Sequence, residues 1–244
     1  MKHLAIACAG VACAGASALA EPTQKTDESA ETGAFLPFSD TPATKASRVK
    51  TIGVYDGARD STAVEGDVQA KLSEKFQLDA VLTYEDGEVD PAIAAQLSLT
   101  DEDKQGVDLQ LAAGWDRAGA NQVPAVFAQL SAGRTLAGTY LLGTARFDLG
   151  TEQSERGGIL DAAAIRSIAS AFYAGVDSRL ELDLERDAME PASESTWALH
   201  VGPVATYAAD HFTITASVGL AADKPRDDAR EVGAFVAIGA GAAL

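Results

Sequence analysis

The stretch that decides the fold is residues 64–85, VEGDVQAKLSEKFQLDAVLTYE. From 64 to 72 the even positions carry apolar or small residues, and the odd positions between them carry polar ones. After a short link at 73–75 the same period of two returns from Phe76 to Glu85. Alternation of this kind places the two sets on opposite faces of a β-strand. The stretch therefore predicts a hairpin whose strands have one apolar and one charged face.

The same alternation recurs along the rest of the chain. It is clear in 93–99 and 107–115, which form a second predicted hairpin turning at 101–105, and again in 180–184 and 212–220. The closing segment 232–244 alternates more weakly, and 125–132, 135–149, 166–176 and 197–208 are strands with less clean faces. These segments predict about twelve strands beginning near Val49, an even number typical of bacterial single-chain barrels.

The predicted links fall into two classes of length. Short ones lie at 73–75, 133–134, 177–178 and 209–210, and longer polar ones lie near 117–122, 150–161, 189–195 and 223–230. Because the two classes alternate, we expect them to lie on two different sides of the sheet. We expect the short links and both termini to share one of these sides.

The first twenty residues have the features of a cleavable secretory signal peptide. A basic start at Lys2 precedes an apolar stretch from Leu4 to Leu19, and the triplet ending at Ala20 is made of small or apolar residues. Cleavage there would remove both cysteines, so the mature chain would contain no disulfide. Residues 21–47, rich in Thr, Ser, Pro and acids, predict a disordered periplasmic leader, and 48–244 form the predicted β-barrel domain.

Charge and hydropathy exclude several classes of function. The formal net charge is −17, from 36 acids against 19 Lys and Arg, which disfavours binding to nucleic acid. Beyond the N-terminus no run approaches the roughly 20 apolar residues of a membrane helix, which excludes a helical membrane protein.

With these strands and links, Val49 to Leu244 resembles the bacterial outer-membrane β-barrels of the porin or OmpA-like class, with no specific family identified. The resemblance implies an all-β fold, a closed antiparallel transmembrane β-barrel, in the outer membrane of a Gram-negative envelope. It implies the lipid bilayer, the barrel assembly machinery and periplasmic chaperones as partners. Leu244 stands where such barrels usually end in Phe or Trp. The aromatic residues placed for interfacial girdles are Tyr84, Trp115, Trp197, Tyr207 and Phe212.

In such a barrel the charged parity faces the lumen. The predicted lumen-facing residues are Glu65, Asp67, Asp79, Glu85, Asp108, Asp116, Glu181, Asp183, Glu185, Lys71, Arg146 and Arg166. Because acids outnumber bases, the leading hypothesis is a narrow channel or porin that prefers small cations or neutral solutes. The alternatives are a non-conducting envelope scaffold or surface-interaction barrel, and a soluble periplasmic β-sheet protein with the charged face outside.

No catalytic, cofactor-binding or metal site is predicted. A barrel lipase or acyltransferase would need a residue such as Ser195 near His200, or Asp210 near His211, and only proximity in sequence suggests either pair. Two local features stay open. Residues 162–176 also fit one face of a helix, which would make the strand count odd. Pro203 removes a backbone donor from a presumed interior strand, so we expect a bulge there.

Overall fold

In the computed structural model, each β-strand pairs antiparallel with its neighbours in sequence, and the first strand pairs with the last. The structure describes residues 47–85, 87–118, 123–150, 156–183, 196–209, 211–224 and 230–244. In these ranges the strands are β1 (Arg48–Asp56), β2 (Ser61–Lys71), β3 (Phe76–Glu85), β4 (Glu88–Thr100), β5 (Asp108–Ala118), β6 (Val123–Leu136), β7 (Thr139–Gly150), β8 (Arg156–Ala169), β9 (Phe172–Asp183), β10 (Thr196–Ala208), β11 (Phe212–Lys224) and β12 (Glu231–Ala243). The expected closed antiparallel barrel of about twelve strands is confirmed.

Closure of the barrel pairs its first strand with its last. Arg48 of β1 lies opposite Ala243 of β12, and the pairing runs through to Asp56 opposite Phe235. Beside this seam the Leu244 amide donates to the Ser47 carbonyl oxygen over 2.8 Å. Closure satisfies the backbone groups that an open edge would leave without partners. The predicted signal peptide and nearly all of the predicted leader lie outside the described residues, so those two boundaries stay predictions.

The strand ends define two rims. The terminal rim holds the start of β1, the end of β12 and the links 72–75, 101–107, 137–138, 170–171 and 209–211. The distal rim holds the opposite strand ends and the link 57–60, and the links 119–122, 151–155 and 184–195 between these ends lie outside the described residues. A single helical turn, α1 (Glu102–Gln105), lies in the link 101–107 of the terminal rim. No helix in the described ranges is long and apolar enough to cross a membrane.

Two of the predicted turns are wrong. The turn expected at Gly133–Arg134 lies at Ala137–Gly138, where both residues have the positive φ angles, 50° and 77°, typical of tight hairpin turns. The turn expected at Asp177–Ser178 lies at 170–171 instead. Asp177 and Ser178 lie within β9 and do not form a turn. The Asp177 side chain is buried inside the barrel, and the Ser178 hydroxyl donates to the Ala162 carbonyl.

The helical alternative for 162–176 and the bulge at Pro203 are also wrong. Residues 162–169 and 172–176 belong to β8 and β9, which pair with each other around the turn. At Pro203 the ladder to β9 is continuous, and Val201 and Val204 pair with Leu220 and Ser217 of β11 in one unbroken register. The missing N–H of Pro203 therefore leaves a local gap only in the pairing with β11, and the inward and outward positions of β10 keep alternating.

The two faces of the sheet have opposite polarity. Large apolar side chains such as Leu82, Ile93 and Val218 are exposed on the outside. Inside, the buried side chains are mainly acids, amides and hydroxyls, with two small apolar clusters around Leu142 and Phe235. This is the reverse of a soluble β-protein, which would bury its apolar face.

Candidate functional site: the lumen and its distal mouth

The structure places most of the predicted lumen residues on inward-facing positions. Asp67, Asp79 and Asp116 are buried inside, and the half-buried inward ones are Glu65, Glu85, Asp108, Glu181, Lys71 and Arg146. The side chain of Asp183 and the whole of Glu185 lie outside the described part of the chain.

Arg166 departs from the prediction. It is exposed and follows Ile165, which is buried inside at 4% exposure, so the Arg166 side chain points outward. The inward positions of β8 are the odd ones, including Asp161 and Ala163. The sequence put the neighbouring turn in the wrong place, and a strand whose ends are misplaced gives no reliable facing for a residue near its end.

Two inward bases hold acids on neighbouring strands. Lys50 lies 3.1 Å from Asp67, and Arg179 contacts both carboxylate oxygens of Asp161 at 2.9 and 3.2 Å. Neither Lys50 nor Arg179 was predicted to face the lumen, because β1 lacks clean alternation and Arg179 directly follows the turn wrongly expected at 177–178.

Arg146 joins Asp116 of β5 to Asp148 of its own strand. It donates to Asp148 over 2.7 Å, and its guanidinium also lies 3.9 Å from the centre of the Phe127 ring. Pairing of this kind makes a charged interior compatible with a narrow lumen.

An amide row crosses one side of the lumen. Five successive strands, β2 to β6, each contribute one inward glutamine, and these are Gln69, Gln77, Gln96, Gln110 and Gln129. Gln77 donates to Asp79 over 3.0 Å, and Gln77 and Gln110 both donate to the Gln96 side-chain oxygen. This wall is polar without carrying charge of its own, so it offers donors and acceptors to water or to hydroxyl groups.

At the distal rim the link 57–60 folds into the mouth of the barrel. The Gly57 amide donates to the Ala234 carbonyl over 2.9 Å, and Ala58 is 4% exposed in a cluster with Phe235, Ala237 and Ala221. A side chain at Gly233 would overlap the backbone of Gly57, so this glycine allows the close approach. The link consequently narrows the opening on the side of β11 and β12.

Arg59 extends from this link to two other strands. Its guanidinium lies 3.1 Å from Glu181 of β9 and 3.2 Å from Asp223 of β11. Burial alone would lower the pKa of Arg59, but the Glu181 and Asp223 carboxylates outweigh burial and raise that pKa above its usual value. Arg59 is therefore cationic at any physiological pH, and its bonds span the mouth.

Asp56 fixes the conformation of the link. Its carboxylate accepts from the amides of Ala58 and Arg59 at 2.8 and 3.3 Å, and it lies 2.7 Å from His200 Nε2. His200 is itself buried inside, so it does not lie at the lipid face where a barrel lipase would need it. Ser195 and Asp210, the other residues of that alternative, lie outside the described residues. The dipeptide Asp56–Gly57 is a turn signal that could have identified this link from the sequence.

The outward face carries aromatic residues near both rims. Tyr84, Trp115 and Trp197 lie near the distal rim, and Tyr207 and Phe212 near the terminal rim, as predicted for girdles. Tyr207 packs against Phe172 and Phe212, with ring centres 4.9 and 5.8 Å apart. The stretch of β10 from Trp197 to Tyr207, at a rise of about 3.4 Å per residue and a tilt of about 40°, spans roughly 25 Å along the barrel axis. That height equals the apolar band of about 25 Å in outer-membrane barrels.

Comparison with known proteins finds relatives in structure only. No protein-family model matches the chain, and no curated protein matches it. A structure of the NanC porin is similar with a TM-score of 0.59 and 13% identity, covering 80% of this chain and 100% of that one. The KdgM porin is similar with a TM-score of 0.56 and 6% identity, covering 81% of this chain and 99% of that one. The COG4313 outer membrane channel from Pseudomonas putida F1 has a TM-score of 0.54 and 10% identity, covering 85% of this chain and 98% of that one. The chain therefore has the fold of the bacterial outer-membrane β-barrels, with no specific family identified.

Proposed function

We propose that this barrel lies in an outer membrane and forms a narrow channel that prefers small cations or neutral solutes. The observation that carries the proposal is the polarity of the two faces, apolar with aromatic rims outside and acidic within. The exposed outer face also supports periplasmic chaperones and the barrel assembly machinery as partners, because such a surface needs protection before it reaches lipid.

The charges of the lumen support the cation preference. The inward acids include Asp56, Glu65, Asp67, Asp79, Glu85, Asp90, Asp108, Asp116, Asp148, Asp161, Asp177, Glu181 and Asp223. The bases that face them are Arg48, Lys50, Lys71, Arg146, Arg179 and, from the link 57–60, Arg59. An excess of fixed negative charge raises the local concentration of cations. One solved relative is the KdgM porin in complex with disordered oligogalacturonate. Because that ligand is a polyanion, the acidic wall here supports a different solute class.

Glu85 and Asp90 are the best residues for testing this preference. They face inward near the distal rim, and neither forms an ion pair in the described part of the chain. Removing their charge therefore changes the field of the lumen and leaves the paired bases in place.

The test is the reversal potential of the refolded chain in a planar bilayer under a salt gradient. We expect cation preference that weakens as salt shortens the Debye length, about 10 Å at 0.1 M. The variant E85Q/D90N should lower the preference, whereas E74Q, exposed in a link of the terminal rim, should leave it nearly unchanged. Anion preference in the native chain would contradict the proposal.

A second candidate, the non-conducting scaffold, is favoured by one observation. Inward side chains such as Asp67, Gln77 and Gln110 are only 2 to 4% exposed, as expected for a lumen filled by its own side chains. The same bilayer measurement separates the two functions. A silent bilayer with correctly folded protein would exclude the channel and support the scaffold.

A further inference from the structure

The outward face carries a charge pattern that the lumen does not explain. Among the outward strand side chains that the structure describes, the charged ones are all basic, although the net charge of the chain is −17. They are Arg117, Arg134, Arg166 and Lys224, and each lies near an end of its strand. Near strand ends a side chain reaches the lipid headgroups, where the cost of a base falls to about 0–1 kcal/mol.

Arg134 and Arg166 lie close together near the terminal rim. Arg134 of β6 is opposite Leu141 of β7, and Arg166 of β8 is opposite Thr139 of the same strand. Two strand spacings are about 10 Å and two residues along a strand about 7 Å, so the two Cα atoms are about 12 Å apart. Two arginine side chains can close that gap, and Thr139 lies on the outward face between them.

These two guanidinium groups are available for a ligand. Both side chains are exposed, and among the described residues neither has a hydrogen bond or ion pair. In contrast, Arg117 and Lys224, near the distal rim, each interact with other groups of the chain. Arg166 also lies opposite Ala174, close along β9 to Phe172, which packs against the girdle residue Tyr207. Arg134 and Arg166 thus form an unpaired cationic site at the depth of a girdle.

We propose that Arg134 and Arg166 together bind the phosphate of an anionic phospholipid in the membrane leaflet at the terminal rim. Each guanidinium can donate two hydrogen bonds to one phosphate, and long basic side chains extend along the barrel toward the headgroups. The outward apolar surface below them, beginning with Leu141, accepts the acyl chains. The site rests on the proposed membrane location and is independent of whether the lumen conducts.

The test is native mass spectrometry of the full chain, refolded in detergent and checked by heat-modifiable gel mobility. The probes are phosphatidylglycerol, diacylglycerol with the same acyl chains, and inorganic phosphate as a competitor. The variant R134Q/R166Q removes the site, and R117Q/K224Q removes the same number of outward bases from the distal rim.

We expect the native chain to retain phosphatidylglycerol over diacylglycerol, with inorganic phosphate in excess unable to displace it. R134Q/R166Q should weaken retention about thirtyfold, because each of the two bases near a membrane contributes about 1 kcal/mol and about 1.4 kcal/mol is a factor of ten. R117Q/K224Q should retain the lipid. Equal loss in both variants, or equal retention of diacylglycerol, would overturn the site. A native chain without heat-modifiable mobility would instead contradict the membrane barrel, whereas a barrel that retains the lipid but does not conduct would contradict only the channel.

Discussion

At the scale of single residues, Arg59 joins parts of the barrel that are far apart in sequence. It is one side chain in a short link, yet it contacts Glu181 and Asp223 on two separate strands across the distal mouth. Asp56 and His200 hold the backbone beneath it. An ion pair at this partly exposed position contributes about 0.2–1 kcal/mol, so Arg59 affects the width of the opening more than the stability of the fold.

The first prediction is that R59Q raises single-channel conductance and strengthens cation preference. The change removes a fixed positive charge from the mouth and frees two carboxylates, while heat-modifiable mobility should stay that of the native barrel. R117Q, which removes a base from the outward face near the same rim, is the matched control. Conductance and selectivity unchanged by R59Q would show that the link 57–60 does not limit permeation.

The second prediction compares two neighbours on β6. Leu130 is 47% exposed on the outward face near the middle of the strand, and Gln129 faces the lumen. L130R places a charge near the bilayer centre, where it costs about 2–4 kcal/mol, whereas Q129R adds the charge to a polar lumen. We expect L130R to reduce the folded fraction in lipid vesicles far more than Q129R. Equal effects of the two substitutions would favour a sheet in water.

At the scale of strands, three inward glycines lie directly opposite a large apolar side chain on the next strand. Gly114 faces Phe127, Gly175 faces Ile165 and Gly219 faces Phe235. In each pair a methyl group added to the glycine would overlap the opposing side chain and a backbone carbonyl oxygen. The bulky side chain therefore lies flat over the glycine against the barrel wall, which limits how far it extends into the lumen.

The third prediction follows from this packing. G114A should lower the free energy of unfolding by about 1–3 kcal/mol, because the new methyl group must displace Phe127 or the β4 backbone. G66A is the matched control, since Gly66 faces outward with nothing within 4 Å of an added methyl group. The measurement is the urea midpoint followed by heat-modifiable mobility. A midpoint that G114A leaves at the native value would mean that this contact is not tight.

Hairpin turns show how far local sequence determines an element. Asp86–Gly87 is a strong turn signal between two alternating segments, and Gly87 has a φ of 94°. Ala137–Gly138 carries a much weaker signal, yet it is the turn, because pairing along the whole of β6 and β7 sets its position. Local chemistry therefore identifies a turn only where the residue preference is strong.

At the scale of the whole molecule, the links only partly follow the predicted alternation of length. The strand ends Asp183 and Thr196, on either side of the longest link, lie at the distal rim, but the short link 57–60 shares that rim and the longer link 101–107 is on the terminal rim. Both chain ends of the barrel lie at the terminal rim, as predicted. The prediction of the orientation in the membrane therefore rests on the shared position of the two barrel ends more than on link length.

The fourth prediction is that the terminal rim faces the periplasm. Trypsin added to intact cells should cut near Arg156 or Arg226, beside distal links, before it cuts at Lys75 in the link 72–75. The sites should become equally accessible once the envelope is permeabilised. Cleavage at Lys75 first, in intact cells, would reverse the orientation.

The sequence by itself determined the fold class, the strand count and the facing of the cleanly alternating strands. In β2 and β3, whose even positions are nearly all apolar, the period of two allows only one assignment of faces, because a shift of one residue would bury charge in lipid. The tertiary structure alone decided the rest. Arg166 faces outward and Arg179 lies within β9 because the turn between β8 and β9 is at 170–171, a position set by pairing along both strands. Arg59, Asp56 and His200 meet because closure brings β1 next to β12, and long-range contacts of this kind leave no period in a sequence.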